Sequence, residues 1–159
     1  MAVNKEFLIS EKELIQTRLE FSIRNFYDNP TKESMMAIFN ELVYSVVYNL
    51  AFYVPVEMTD GEIAYSLERL RDIGYVYKAF TNSEELVKCA EESNVIISVR
   101  NLFKQVANDS LPGLVLNSTN ENRAVVFLNK ENIKRILNVA LETIQAQADD
   151  VKSFLLNEI

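Results

Sequence analysis

Tyr75-Val76-Tyr77-Lys78-Ala79-Phe80-Thr81-Asn82-Ser83-Glu84-Glu85-Leu86 decides how this chain folds. The first six residues read as an aromatic-rich strand, and the next six read as a helix start. Thr81 and Glu84 have the Thr-x-x-Glu spacing of a capping box, which satisfies free amide donors at a helix N-terminus. Asn82 and Ser83 compete for the same cap. A strand passes into a helix with almost no loop, so the segment fixes a corner between the two kinds of structure. It supplies no catalytic group.

Working outward toward the N-terminus, Ser10 and Glu13 repeat the capping-box spacing, and Ile9 and Leu14 are placed for a hydrophobic staple. Leu8, Ile15, Leu19, Ile23 and Phe26 follow at helical spacing, which predicts a helix over about 5–28. It should stop near Asn29-Pro30, because proline disfavours helical geometry in the residue before it and suits the first turn of the next helix. Met35, Phe39, Leu42 and Val46 share one face of a second helix, which Asn49 can end in a left-handed conformation. Leu50 to Glu57 reads as a strand, with Pro55 pointing to an edge or an end. Thr59-Asp60-Gly61 is a turn, and Glu62 to Leu67 returns as a second strand.

On the other side, the helix of the corner runs to about Glu92. Val95 to Val99 is a short strand, and Leu102, Phe103 and Val106 mark a short helix. Pro112-Gly113 opens the strand Leu114-Val115-Leu116, and Ala124 to Leu128 is the last strand. A long helix over about 130–158 closes the chain. Its Leu137, Leu141, Ile144, Ala148, Val151 and Leu155 alternate in steps of four and three, the narrow seam that one helix offers another. The seam packs either on the chain's own N-terminal helix or on a partner, a second copy included. The expected fold is α+β: a mainly antiparallel sheet of about five strands, flanked by helices, with long N- and C-terminal helices, in a single domain over 1–159.

Composition narrows the function. Of 159 residues, 48% are hydrophobic, which suits a buried core, and the net charge is −7. Acidic residues are spread along the chain and no basic face is visible, so nucleic acid is not an expected partner. The longest apolar-rich run, Leu42 to Val56, is broken by Ser45, Asn49 and Pro55, so no membrane insertion is expected. The N-terminal residues lack the apolar stretch of a signal peptide. Cys89 is the single cysteine, so a disulfide within the chain is impossible. These features together point to a cytoplasmic location.

The chain has no histidine. That excludes the Ser-His-Asp triad, the Cys-His dyad and His-containing zinc sites. Gly61, Gly74 and Gly113 are isolated, so no phosphate-cradling loop is present, and Asp60-Gly61-Glu62 lacks the remainder of a calcium loop. Carboxylates remain as acid–base candidates, but Glu84-Glu85, Glu91-Glu92 and Asp149-Asp150 are sequence neighbours, which point about 100° apart on a helix. No catalytic, cofactor-binding or metal-binding residue is assigned. The candidate interaction residues are Tyr75 and Tyr77, which share one strand face, and Ile144, Val151 and Leu155 on the terminal seam.

Three pieces in order resemble the N-terminal domain of the SseB family. They are Phe52-Tyr53-Val54-Pro55-Val56, then Tyr77 to Leu86, then Pro112-Gly113-Leu114-Val115-Leu116-Asn117. The resemblance covers about 39–137. It departs at Asn117-Ser118, where the family commonly has Asn-Pro, and the terminal helices fall outside it. It implies a non-enzymatic bacterial α+β module, an accessory or chaperone-like factor that engages a protein partner or itself; the seam of the last helix, outside the resemblance, adds a homodimer through the terminal helices as one form. It carries over no catalytic residue. Two other functions fit the composition. One is an immunity-type inhibitor that neutralises a basic toxin through charge complementarity. The other is a small-ligand-binding domain or an enzyme using carboxylates or tyrosine alone.

Overall fold

The structure, a computed structural model, describes residues 10–88, 93–118 and 125–157. Ile9 of the expected staple, Cys89, Glu91, Glu92 and the Ala124 start of the last strand lie outside these residues. The order of elements is α1 (Glu11–Asp28), α2 (Lys32–Val47), β1 (Ala51–Thr59), β2 (Glu62–Tyr65), β3 (Leu67–Leu70), β4 (Gly74–Ala79), α3 (Ser83–Lys88), β5 (Asn94–Ser98), α4 (Val99–Asn108), β6 (Gly113–Leu116), β7 (Val126–Asn129) and α5 (Lys130–Asn157). The fold is α+β, with helices at both ends. The strands form two sheets, β2-β1-β5 and β3-β4-β6-β7, all antiparallel except for the β4–β6 pair. A parallel pair needs a crossover connection, and α3, β5 and α4 provide it.

Local chemistry sets most boundaries. Ser10 caps α1 by accepting from the Glu13 amide at 3.1 Å. Thr31 and Ser34 form a reciprocal capping box at α2. Asn49 adopts φ +57° just after α2, as its sequence position implies.

Two expectations are corrected. Pro55 is neither at an edge nor at an end. It sits inside β1, the central strand of its sheet, where Ala51–Pro55 stop pairing with β5 and Val56–Thr59 begin pairing with β2. Proline has no N–H to give, and here only its carbonyl is asked for a bond, from the Ser66 amide at 2.9 Å. Second, the single strand expected over Glu62–Leu67 is two strands in different sheets, parted at the buried Ser66. The alternating side chains of Tyr65 and Leu67 give no hint of that change of partner. With β3 recognised, the strands among the described residues number seven.

α1, α2, α4 and α5 share one core with the strands. Ile15, Leu19, Ile23 and Phe26 of α1, Ile38, Leu42 and Val46 of α2, and Leu102, Phe103 and Val106 of α4 join one core. Phe52 and Val54, Tyr77 and Ala79, Leu114 and Leu116, and Val126 and Leu128 enter it from the strands. Each of these strand pairs is two residues apart, as strand geometry requires of side chains on one face. α5 packs chiefly on α2 and α4, not on the N-terminal helix that the seam suggested.

At Gly113 the backbone of β7 comes close. A methyl group built there would lie 2.1 Å from the Leu128 carbonyl oxygen, and that oxygen belongs to the paired strand β7. Gly113→Ala must push the two strands apart. It should lower the unfolding free energy by about 1–3 kcal/mol, the usual range for overpacking, in a denaturant titration.

Candidate functional site

Four features of this fold hold polar or apolar groups in arrangements that go beyond core packing. The first is the strand-to-helix corner. Asn82, not Thr81, caps α3: its Oδ1 accepts from the Glu85 amide at 2.8 Å. The expected Thr81–Glu84 box does not form, because Thr81 is buried and committed elsewhere. Its amide donates to Asn117 Oδ1 at 2.9 Å, and its hydroxyl accepts from Asn117 Nδ2 at 3.1 Å. Asn117 holds φ +50°, a conformation that asparagine tolerates better than most residues. Its own amide donates to the Ala79 carbonyl at 2.9 Å.

α1 is stitched to the same corner. Gln16 donates to the Thr81 carbonyl at 3.0 Å, and Asn82 donates to Glu20 Oε1 at 2.6 Å. Glu20, Arg24, Tyr27, Asn82, Glu84, Glu85 and Asn117 line a hollow of about 240 Å³. That is below the range of about 300–1,000 Å³ usual for small-ligand pockets. Two helices and a strand therefore meet at a polar joint.

The second feature is Tyr77. Its hydroxyl donates to the Asp109 carboxylate just past α4, and Lys130 at the start of α5 donates to the Asp109 carbonyl. Tyr65 meets the Tyr77 ring edge-on at 5.9 Å and donates to Gln105 at 2.9 Å. Burial first, and then the Asp109 carboxylate, raise the Tyr77 hydroxyl well above the ordinary tyrosine range. A hydroxyl held in its protonated form is a poor base or nucleophile. This one ties β4 to the α4–β6 connection.

Third, α1, α2 and α5 enclose a surface groove of about 530 Å³ lined by Arg18, Asn40, Glu41, Tyr44, Val139 and Thr143 among others. Arg18 donates twice to Glu41 Oε1, at 2.8 and 3.1 Å, and its guanidinium lies 5.5 Å from the centre of the Tyr44 ring. The pair spans α1 and α2. Sequence reading missed it because 23 residues separate the partners and neither belongs to a motif.

The fourth feature is the distal half of α5. Ile133, Ile136, Leu137 and Ala140 are buried, Ile144 is half-buried, and from Gln145 to Leu156 every residue is exposed. Val151, Phe154 and Leu155 are 59%, 62% and 58% exposed. The five residues singled out from sequence thus separate. Tyr75 and Tyr77 do share a strand face, but Tyr77 is core at 8% exposure. Tyr75, 57% exposed, lies at the hairpin end of β4 opposite Arg69. Ile144, Val151 and Leu155 stay on one helix face, at the edge of the body and beyond it.

Asp149 and Asp150 are both exposed on that helix. Among the described residues no three acidic or sulfur ligands converge on a possible metal position, and none of the helices is long and apolar enough to cross a membrane. No family model, curated protein or solved structure matches the chain.

Tyr77→Phe removes one hydrogen bond to a charged partner and should cost about 1–2 kcal/mol at neutral pH. The tyrosine proton is bound more tightly in the folded state, so the native contribution is full below the unfolded tyrosine value of about 10 and falls as pH rises above it. Denaturant titrations of both proteins from pH 8 to 11 should show the gap between them narrowing at the alkaline end.

Proposed function

We propose that this chain is a non-enzymatic protein-interaction module, an accessory or chaperone-like factor, working through the exposed apolar face of α5. The observation that carries this reading is the stripe of Val151, Phe154 and Leu155, left in water by a helix whose first half is buried. Large apolar side chains grouped on one surface mark interaction sites more often than chance placement does. The ordered likeness of Phe52–Val56, Tyr77–Leu86 and Pro112–Asn117 to the SseB N-terminal domain supports the same class of function.

The competing chemistries gain less from the geometry. An enzyme built on tyrosine or carboxylates would want an activated group facing a cleft. Tyr77 is instead pinned in its protonated form, and Glu20 is held by two side-chain amides. An inhibitor of a basic toxin would want acidic residues bordering its apolar contact. The residues that border the stripe are mixed: Asp150 lies one turn before Phe154, and Gln147 and Lys152 complete the edge.

The test is capture of cross-linked partners by the full-length chain in its native cells, beside Val151→Glu and Leu155→Glu. Both positions are exposed, so the melting temperature of each variant should match the parent, as surface substitutions usually allow. The captured proteins should be lost from both. The reading is sunk if both variants fold and retain the same proteins as the parent.

A further inference from the structure

We infer that the stripe on α5 takes a second copy of this chain, with the two distal helices paired antiparallel. The inference rests on the reading of α5 as an interaction surface and names its occupant.

The stripe is the core face of α5 continued past the body. Successive residues of a helix advance by about 100°. On that count Ile133, Ile136, Leu137 and Ala140, which are buried, share a sector with Ile144, Val151, Phe154 and Leu155. α2 and α4 cover the first group. The same apolar pattern then runs on for about three turns with all its residues exposed.

Two observations favour a second copy over a different partner. The spacing Leu137, Leu141, Ile144, Ala148, Val151, Leu155 is the four-three seam by which helices pair with one another. Its bordering positions in the distal half, Gln145, Gln147, Lys152 and Phe154, carry a single charge, and Asp149 and Asp150 lie outside them. A chain with a net charge of −7 would repel its own copy if its acids lined the seam. They are instead placed where pairing leaves them in water. Interface size limits the strength: the 13 residues from Gln145 to Asn157 span about 20 Å. A stable interface buries about 800 Å² per partner. Three helical turns fall short of that, so the dimer is reversible.

Direction follows from the same geometry. The body lies on the side of α5 that bears the stripe. Parallel pairing would push two bodies into one volume; antiparallel pairing sends them to opposite ends of the helix pair. The contact is then two-fold and closed. Leu155 of each copy packs near Ala148 of the other, a large residue against a small one.

Sedimentation of the purified full chain from about 1 to 300 μM should show a monomer–dimer equilibrium with a midpoint in the micromolar range. Val151→Glu and Leu155→Glu should each weaken it at least tenfold with an unchanged melting temperature. In a Cys89→Ser background, a mixture of Ala148→Cys and Leu155→Cys chains should cross-link between the two variants faster than either cross-links to itself. A chain that stays monomeric throughout overturns the inference, as does a dimer indifferent to both glutamates or faster Ala148→Cys self-linking. A monomer that still captures another protein through Val151 and Leu155 overturns this inference alone and leaves the interaction reading standing.

Discussion

Two backbone hydrogen bonds between Tyr53 and Phe80, at 2.9 and 2.8 Å, join the two sheets of this molecule. They are the bridge between the sheet built on β1 and the sheet built on β4. Phe80 is the last residue of the strand side of the corner, and the next three residues begin the helix side. Any shift of β1 against β4 would therefore also shift the corner, the Thr81–Asn117 contact beyond it and the α1 side chains bonded to both. The fully buried Phe52 and Phe80 flank the bridge, so water has little access to bonds that would weaken in its presence.

From that bridge the polar joint and the helical layer follow in order. Thr81 is held by Asn117 at the end of β6, Asn82 by Glu20 and the Thr81 carbonyl by Gln16. These contacts fix where α1 lies, and α1 in turn packs on α2 and meets it through Arg18 and Glu41. Arg18 is half exposed, so this pair adds little stability by itself. Its effect is to set the orientation of two helices that the apolar core already holds together. Tyr77 does the corresponding work on the other side, joining β4 to the residues between α4 and β6. The polar side chains that look most like chemistry are spent on architecture, while an apolar face of α5 is left in water.

Much of this was legible in the chain. Ser10, the Asn29-Pro30 break and Asn49 act on backbone geometry within a few residues of themselves, so their effects survive any tertiary context. The apolar periodicity of α1 did the same for its core face, whereas of the α5 seam only Leu137 is buried and the core residues Ile133, Ile136 and Ala140 lie beside it. What was misread involved partners distant in sequence. Thr81 looked like a cap because Glu84 is three residues away, yet Asn117, 36 residues on, takes it. Glu62–Leu67 looked like one strand because alternation does not reveal a change of sheet. Pro55 looked like an edge because an absent N–H cannot show which neighbour would have needed it.

The sequence by itself determined the α+β class, the helix ends that depend on local capping, and the seam of Leu137 to Leu155, since each is carried by residues within a turn or two. Only the tertiary structure decided that Tyr77 is core while Tyr75 is surface, although strand alternation puts them on one face. Only it decided that α5 outruns the body. A seam has the same spacing whether it is covered or bare; the reach of α2 and α4 ends its burial near Ile144 and leaves Val151, Phe154 and Leu155 in water.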